Sequence, residues 1–379
     1  MPENTNLVVG AGITGAVIAQ HIASKTGEKV LIIDKRNHLG GNCYDYKDKN
    51  GITVHCYGSH IFHTNNESVW QYVNRFSNFN TYMHKVYANI DGIETTIPFN
   101  FNTLYDVFPH SMAAKFEDKL LKNFFYNDRI PILEFRKSSD NDLKFLASYI
   151  YKKIFLNYTK KQWNYNPDTI DSNVTARVPI LISKDSRYFQ DKYQGIPVDG
   201  YTKLLSNMMS LPNIELRLNT NFKSFDFKLY KRVFYTGSID EFFDYKFGML
   251  PYRSVEFKFE EYNFPYYQSN SVINYPNNYD FTRIHEYKYY LNEISPNTII
   301  AKEYSQDFIP EKNDRYYPVE NKINSDLYKK YEYLSNDLNQ VYFLGRLGSY
   351  KYYDMDKAVA NAMECFANVF DKKCEYSNY

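Results

Sequence analysis

The 379-residue sequence has few cysteines and few tryptophans, four and two respectively. Cys43, Cys56, Cys365 and Cys374 form no C-x-x-C pair, so we expect reduced thiols and neither a disulfide scaffold nor a cysteine metal site. The sequence also has no marked excess of either charge, because its 45 lysines and arginines nearly equal its 44 aspartates and glutamates. This balance gives no electrostatic basis for binding nucleic acid or an acidic membrane.

Long apolar runs are absent as well. No stretch reaches the roughly 20 residues that a membrane-spanning helix needs, and the apolar start near Leu7 lacks the basic flank and cleavage site of a signal peptide. We therefore expect a cytoplasmic protein without stable membrane insertion. Tyrosine and phenylalanine are abundant, with 39 and 28 copies. Because asparagine, lysine and isoleucine are plentiful too, codon bias explains this excess better than a carbohydrate site does.

The first motif is a glycine-rich turn between a buried strand and a helix. The apolar residues 7–9 form the strand, and Gly10, Gly12 and Gly15 follow with the spacing G-x-G-x-x-G. The first glycine permits a tight turn, the second lets the backbone approach a pyrophosphate, and the third lets the helix pack against the strand. The N-terminus of that helix, next to Thr14, offers free N–H groups to the phosphates.

A second apolar strand, residues 30–33, ends at Asp34, 19 residues after the last glycine of the motif. An acid at this place binds a ribose 2′-hydroxyl and disfavours a 2′-phosphate, so NADP is not expected. The motif alone does not separate NAD from FAD. Gly40, Gly41 and Asn42 follow closely, and a second glycine pair would let another loop approach the same diphosphate, which favours the larger FAD.

The rest of the chain changes from nucleotide-binding α/β to helices and then to strands. Apolar residues recur with a helical period between 102 and 158 and alternate as in strands between 254 and 302. The C-terminal strand, glycine turn and helix resemble the closing unit of a dinucleotide-binding fold. We therefore predict an α/β protein in which a discontinuous Rossmann-like FAD-binding domain carries a helical-bundle insertion and an antiparallel β-sheet domain. The predicted boundaries are 1–80, 200–245 and 318–379 for the FAD-binding domain, 102–160 for the helical domain, and 81–101, 161–199 and 246–317 for the sheet and substrate domain.

Further segments run in a fixed order from residue 8 to residue 356: VVGAGITGA, GGNCYD, YGSHIFHT, YTKKQW, YFQDKYQGIPVDGYT, YTGSID, FTRIHEYK, YYPV and FLGRLGSYKYYDMD. Together they resemble the bacterial flavoprotein family of UDP-galactopyranose mutases. The resemblance covers nearly the whole chain, and YTKKQW and GRLGSYKYYDMD are far more specific than the glycine motif.

The resemblance implies a homodimeric isomerase that interconverts the pyranose and furanose rings of a UDP-sugar, UDP-galactose first, for cell-surface polysaccharide such as capsule. In this family FAD acts in its reduced form without net redox change. Its N5 attacks the anomeric carbon, UDP leaves, and the sugar ring opens and recloses through a flavin iminium before UDP returns. A protein nucleophile is therefore not required.

Two other interpretations stay open. A flavin oxidase or dehydrogenase uses the same kind of cofactor scaffold, although an amine oxidase has no need of residues that hold a diphosphate. A non-catalytic flavin-binding or UDP-sugar-binding protein would bind its ligand without turnover.

The resemblance assigns catalytic roles to three arginines and one histidine. Arg177 and Arg283 would hold the diphosphate from two sides, since a guanidinium binds phosphate bidentately; ordinary salt bridges are the alternative. Arg346 would lie beside the flavin and stabilise its anionic reduced form, or else pair with a carboxylate. His63 and His60 stand in a loop along the flavin and sugar pocket, and an H-x-x-H pair without a third ligand does not indicate a metal.

The other predicted site residues divide between substrate and cofactor. The flat faces of tyrosine and tryptophan suit uracil and ribose, and Tyr188 and Phe189 match the family's uridine-stacking pair; aromatic core packing is the alternative. The predicted substrate-binding residues are Tyr158, Thr159, Trp163, Arg177, Tyr188, Phe189, Asn274, Arg283, Tyr317 and Tyr352. The predicted cofactor-binding residues are Gly10, Gly12, Thr14, Gly15, Asp34, Lys35, Gly41, Asn42, His60, Gly345, Arg346, Asp354 and Met355. For Asp354, capping the helix that follows is an equal alternative.

Ser59 departs from the family pattern. The family more often has proline or arginine at this position, and the residue there bears on which substituents at sugar C2 are accepted. The small serine therefore leaves the sugar open among UDP-galactose, UDP-N-acetylgalactosamine, a deoxy sugar and a pentose.

Overall fold

The computed structural model describes residues 2–169 and 175–370. Cys374 and the first residues of the segment NVTARVP, which carries Arg177, lie outside these ranges. The frame is a five-stranded parallel sheet, whose short runs of valine, leucine and isoleucine are buried as a sheet covered on both faces requires. In sheet order its strands are Ile214–Arg217, Lys29–Ile33, Thr5–Val9, Arg232–Tyr235 and Val341–Phe343.

Two helices pack together against this parallel sheet. Helix Ile13–Thr26 follows the glycine turn directly and is buried from Ile13 to Ala23, and it packs against the C-terminal helix Met355–Phe370. Since the sheet takes strands from three distant parts of the chain, the predicted α/β class and the discontinuous nucleotide-binding fold are confirmed. The numbered domain boundaries stay a prediction.

A second sheet has seven strands and lies where the sequence alternates between apolar and polar residues. Its strand order is Tyr317–Pro318, Tyr252–Tyr262, Thr298–Asp307, Arg283–Glu286, Val272–Asn274, Val86–Ile90 and Ile93–Ile97. All neighbours are antiparallel except Val272–Asn274 and Val86–Ile90, which are parallel. The register places Arg283 opposite both Asn274 and Glu303, which brings these three residues together.

The predicted helical region is also confirmed, with one difference. Its helices are Phe101–Val107, His110–Asn123, Ile132–Phe135, Asn141–Ile150 and Asn157–Trp163. The helical period between 102 and 158 indicated regular α-helices, whereas Tyr151–Leu156 is π-helical. A π turn adds residues to the helical repeat and is common at functional sites. After it, Thr159 and Trp163 share one buried face, as their i, i+4 spacing predicts.

Further helices and strands lie in the described parts of the chain. The small sheets pair Phe62–Thr64, Tyr193–Pro197 and Phe79–Thr81 in one group, Asp45–Lys47 with Thr53–His55, and Arg129–Ile130 with Ile180–Leu181. Further α-helices are Glu67–Val73, Gly200–Met208, Ile239–Phe242, Lys322–Ser335 and Gly345–Gly348. The 3₁₀ turns are Pro2–Asn4, Gly41–Cys43, Phe222–Ser224, Phe227–Leu229 and Tyr287–Tyr289. Across the residues described, none of the helices has the length and hydropathy needed to cross a bilayer.

Candidate active site

A cavity of about 830 Å³ lies at the carboxyl ends of the parallel strands, where Val9, Ile33 and Tyr235 reach its wall. Ligands of open α/β sheets bind at this edge. All the predicted cofactor-binding residues except Gly15 line the cavity: Gly10, Gly12, Thr14, Asp34, Lys35, Gly41, Asn42, His60, Gly345, Arg346, Asp354 and Met355. Sequence segments more than 300 residues apart therefore meet around one space.

Gly15 lies behind the cavity wall, where space is tightest. A Cβ atom on Gly15 would lie 1.9 Å from the carbonyl oxygen of Gly10. The helix therefore approaches the glycine turn closely because residue 15 has no side chain, which is the reason that the motif predicts for its third glycine.

The second glycine pair packs directly on the first. The Gly40 N–H donates to the Ala11 carbonyl at 2.9 Å, and Gly12 forms a parallel bridge with Gly40. A Cβ atom on Gly41 would lie 3.0 Å from the Gly12 Cα, and Gly41 has a φ of +56°, which favours glycine. Two backbone loops thus border the same part of the cavity, an arrangement that fits the diphosphate of a dinucleotide such as FAD.

Asp34 is fixed at the end of its strand by two backbone N–H groups. One carboxylate oxygen accepts from Ala11 at 2.8 Å and the other from Arg36 at 2.9 Å. The carboxylate therefore ties the glycine turn to the second strand while it lines the cavity. This placement fits the ribose-binding role expected from the sequence.

Arg36 was not predicted, although it connects two distant segments that both line the cavity. Its guanidinium lies 4.5 Å from the ring centroid of Tyr57, donates to the Asn42 side chain at 3.1 Å and pairs with Asp314 at 3.0 Å. Asp314 belongs to the segment 308–316, most of which lines the cavity. This segment lies between two strands and has no residue in a helix or strand, so no periodic pattern marked it in the sequence.

His60 contributes a neutral imidazole to the cavity wall. Desolvation lowers its pKa to about 3, and its Nδ1 lies 2.7 Å from the Gly58 carbonyl. Since a carbonyl only accepts, the proton sits on Nδ1 and the other ring nitrogen is an acceptor. Across the described part of the chain, no three His, Cys, Asp or Glu side chains form a group that could hold a metal ion.

Aromatic and arginine side chains gather beside the cavity in what we term the arginine–tyrosine cluster: Tyr158, Trp163, Arg177, Tyr188, Arg283, Tyr317, Arg346 and Tyr352. Tyr317 and Tyr352 stack with centroids 5.1 Å apart, and Trp163 lies 5.9 Å and 6.2 Å from them. The guanidinium of Arg346 lies 5.4 Å and 5.2 Å from the same two tyrosine rings. Because Arg346 also lines the cavity, it joins the cluster to the cofactor site.

Arg346 and Arg177 lie on the same tyrosine but have different polar partners. Arg346 donates to the carbonyls of Tyr316 and Tyr353 at 3.2 Å and 2.6 Å. Arg177 lies 4.0 Å from the Tyr352 ring centroid and donates from one nitrogen to both oxygens of Asp354, at 2.6 Å and 2.8 Å. The Asp354 carboxylate thus pairs with Arg177. The sequence had predicted either cofactor binding or helix capping for Asp354, and neither role includes this contact.

Arg283 begins a strand of the second sheet and is held by a carboxylate that sequence reasoning missed. Its Nε lies 3.1 Å from an oxygen of Glu303, and its guanidinium lies 5.8 Å from the Tyr158 ring. Burial raises the pKa of Glu303, but Arg283 and His285 outweigh this and bring it to about 2. The strand pattern could have revealed this ion pair. Glu303 lies on the same strand face as two apolar residues of TIIAKEY, and a carboxylate on a buried face needs a buried partner.

His63 lies with the predicted base-stacking pair and is not part of the cavity lining. Its ring stacks on Phe189 with centroids 3.6 Å apart, and its Nδ1 lies 2.9 Å from an Asp191 oxygen. Phe189 in turn meets Tyr188 edge to face at 5.0 Å. The structure therefore brings His63 to Tyr188 and Phe189, away from the glycine loops.

Asn274 and Thr159 are buried, with 7% and 6% of their surface exposed. The Asn274 Oδ1 is buried without a hydrogen-bond partner, although Asn274 stands directly opposite Arg283 in the sheet. A buried acceptor is costly unless a donor reaches it. A ligand hydroxyl or N–H would satisfy this acceptor, which fits the predicted substrate contact.

The parallel sheet with its paired glycine loops defines a dinucleotide-binding protein of the Rossmann type, and residues 8–76 match the NAD(P)-binding Rossmann-like domain. Residues 153–352 match the family model described as UDP-galactopyranose mutase, and the chain belongs to this family. As a member of the family, it is an FAD-binding isomerase.

Individual relatives are similar to this chain over most of their lengths. A dTDP-fucopyranose mutase of Escherichia coli is 37% identical over 372 residues, which cover 96% of this chain and 97% of the relative. A UDP-galactopyranose mutase of Mycoplasma genitalium is 36% identical, with coverage of 93% and 91%. A crystal structure of reduced UDP-galactopyranose mutase has the same fold, with a TM-score of 0.72 at 14% identity and coverage of 98% and 94%.

Proposed function

We propose that the chain interconverts the pyranose and furanose forms of a UDP-sugar, UDP-galactose first, with reduced FAD in the cavity. The observation that carries the proposal is the arginine–tyrosine cluster, because Arg346 reaches it from the cofactor cavity while Arg177 and Arg283 enter it from other elements. A cationic site of this kind beside a dinucleotide cavity suits a second ligand that carries a diphosphate.

Bound FAD in its reduced form supplies the nucleophile for the anomeric carbon of the sugar. The protein has to hold the nucleoside diphosphate as it departs and returns. We assign this task to Arg177 and Arg283, whose pKa values are both raised despite burial by the acidic groups and phenols around them. Both therefore stay charged throughout turnover and stabilise the departing diphosphate electrostatically.

The tyrosines of the cluster act as neutral hydrogen-bond donors. Burial raises the pKa values of Tyr158, Tyr188 and Tyr317 above that of a free phenol. They therefore keep their protons at neutral pH and donate O–H groups to phosphate or sugar oxygens without adding charge. Phe189, stacked on His63, gives the base a flat apolar surface.

The proposal also includes the assembly and location expected from the sequence. We propose a cytoplasmic homodimer that supplies furanose sugar for a cell-surface polysaccharide such as capsule. Light scattering of the purified protein measures the mass of the particle directly. A mass equal to one 45.0 kDa chain would contradict the dimer.

A second substrate follows from the relatives. The E. coli relative is named for dTDP-fucopyranose, and its identity of 37% is close to the 36% of the M. genitalium relative named for UDP-galactopyranose. These substrates differ in the base, uracil or thymine, in the 2′-hydroxyl of the nucleoside, which dTDP lacks, and in the hydroxyl at C6 of the transferred sugar. A dTDP-deoxy sugar is therefore the alternative substrate, and the small Ser59 leaves the sugar pocket open to it.

The test measures by HPLC whether the FAD-loaded, dithionite-reduced protein converts a nucleotide sugar. An unreduced sample serves as the control. UDP-galactofuranose should yield UDP-galactopyranose in the reduced sample alone. The same assay with dTDP-fucopyranose, UDP-N-acetylgalactosamine and a UDP-pentose ranks the substrates by kcat/KM. If flavin is bound and none of these sugars is converted, the proposal is contradicted, and a flavin oxidase or dehydrogenase becomes the better interpretation.

A further inference from the structure

Ser59 begins a chain of polar contacts that leads to Arg283. Its hydroxyl oxygen is 2.5 Å from Nδ1 of His285 and also contacts the hydroxyl of Tyr290. The other ring nitrogen of His285 lies 2.9 Å from an oxygen of Glu303. His285, Tyr290 and Glu303 are buried, with 1%, 1% and 4% of their surface exposed. Water is therefore excluded from the contact between His285 and Glu303, whereas Ser59 itself is half-buried.

The proton positions follow from what each group can donate. Glu303 is ionised beside Arg283 and only accepts, so the Nε2 atom of His285 carries the proton that points to it. Burial lowers the pKa of His285, which keeps the ring neutral and makes Nδ1 an acceptor. Ser59 must then donate to His285, and Tyr290 must donate to Ser59. The residue at position 59 thus supplies the one donor that Nδ1 of His285 receives.

Glu303 is held on both of its oxygens. His285 binds one oxygen, while the Thr282 hydroxyl at 3.0 Å and the Nε of Arg283 at 3.1 Å meet the other. A carboxylate fixed in this way cannot rotate to meet the end of the guanidinium. It therefore forms an ion pair on the Nε side of the Arg283 guanidinium, although the Nε–H itself makes no hydrogen bond, and it leaves the two terminal nitrogens to a ligand.

We propose that Ser59 and His285 are positioning residues for Arg283, which set the side from which Glu303 holds the guanidinium. The inference rests on the proposed contact between Arg283 and the substrate diphosphate. It gives Ser59 a role other than the one at sugar C2 that the family resemblance implies. A residue without a hydroxyl at position 59 leaves the buried Nδ1 of His285 unpaired, and the ring and Glu303 then shift together.

The experiment separates diphosphate binding from nucleoside binding. Calorimetry on the FAD-loaded protein measures the Kd values of UDP and uridine, and of dTDP and thymidine beside them. With Ser59→Ala, we expect the Kd of UDP to rise about tenfold while that of uridine stays unchanged, because only the diphosphate meets Arg283. Ser59→Thr keeps the hydroxyl and should restore UDP binding.

Two further variants test which hydrogen bonds of Ser59 matter for UDP binding. Tyr290→Phe removes the donor to Ser59 but leaves the bond from Ser59 to His285, so UDP binding should match the unmodified protein. His285→Phe breaks the chain from the other side and should repeat the selective loss of UDP affinity. It replaces Ser59→Ala as the test if that variant fails to retain flavin.

A double-mutant cycle completes the test. Arg283→Ala should weaken UDP binding strongly, and adding Ser59→Ala should then have no further effect. Equal losses for UDP and uridine, or an unchanged Kd of UDP in Ser59→Ala, would overturn the inference while Arg283 keeps its proposed role. Unchanged UDP binding in Arg283→Ala would instead overturn the proposed diphosphate contact, and the inference with it.

Discussion

One nitrogen of Arg177 donates to both carboxylate oxygens of Asp354, at 2.6 Å and 2.8 Å. The same guanidinium lies over the ring of Tyr352. A diphosphate that binds Arg177 must therefore share it with Asp354 or displace that carboxylate. In that case the affinity for a nucleotide diphosphate depends on how much more strongly Arg177 binds the diphosphate than the Asp354 carboxylate.

Replacing Asp354 with asparagine should strengthen nucleotide binding. The side chains are 38% and 24% exposed, and such pairs contribute up to about 1 kcal/mol, so the Kd of UDP should fall about fivefold. Calorimetry on the FAD-loaded variant measures this. Asp168→Asn is the matched control, since Asp168 pairs with Arg136 outside the cavity lining. Weaker binding of UDP by Asp354→Asn would show that the carboxylate supports the ligand.

Removing either arginine of the proposed diphosphate site should nearly abolish turnover while flavin stays bound. Arg177→Ala and Arg283→Ala each take away a cation that stabilises the departing diphosphate, and we expect kcat to fall roughly 10²–10³-fold. HPLC rates with reduced protein, together with the flavin absorbance, measure both quantities. A rate equal to that of the unmodified protein would remove that arginine from the mechanism.

Arg36 should slow the release of FAD, because it connects Asn42 and Asp314, which belong to two distant segments of the cavity lining. A cation over an aromatic ring and a partly exposed ion pair together contribute about 1–2 kcal/mol. Arg36→Ala should therefore release FAD about tenfold faster, seen as a rise in free-flavin fluorescence. Arg217→Ala, which breaks an exposed pair with Glu215 outside the cavity lining, should change nothing. Equal release from both variants would contradict the link.

His21 should make stability depend on pH between 6.5 and about 4. Burial lowers its folded pKa to about 4, so the unfolded chain binds a proton in this range that the folded chain does not. Stability therefore falls as pH drops through this range, by up to about 1.4 kcal/mol per pH unit for one such histidine. Urea unfolding of His21→Gln at several pH values should show a shallower dependence. His110→Gln, at an exposed position, should leave the dependence unchanged.

The glycine loops and Asp34 could be predicted because their chemistry is local. Each needs only a strand, a turn and a helix start that are neighbours in the sequence, and the period of apolar residues shows all three. The sheet residue Arg283 was predicted through the segment FTRIHEYK. Its role still depends on Glu303, which a strand register brings opposite it.

Other contacts could not be predicted, because they depend on tertiary packing. Arg36 and Asp314 are almost 280 residues apart, and no local pattern relates them. The pairing of Arg177 with Asp354 and the stacking of His63 on Phe189 have the same origin. The π-helical stretch Tyr151–Leu156 escaped prediction for a different reason, since its apolar pattern also satisfies an α-helix.

The parallel sheet takes its last strand, Val341–Phe343, from near the end of the chain, and the cavity wall continues into Arg346, Asp354 and Met355. During synthesis the glycine loops leave the ribosome first, but they face an incomplete wall until these residues have emerged. The cavity therefore cannot be complete before residues 341–355 have emerged. We expect a nascent chain stalled before residue 341 to carry the dinucleotide motif without retaining the dinucleotide.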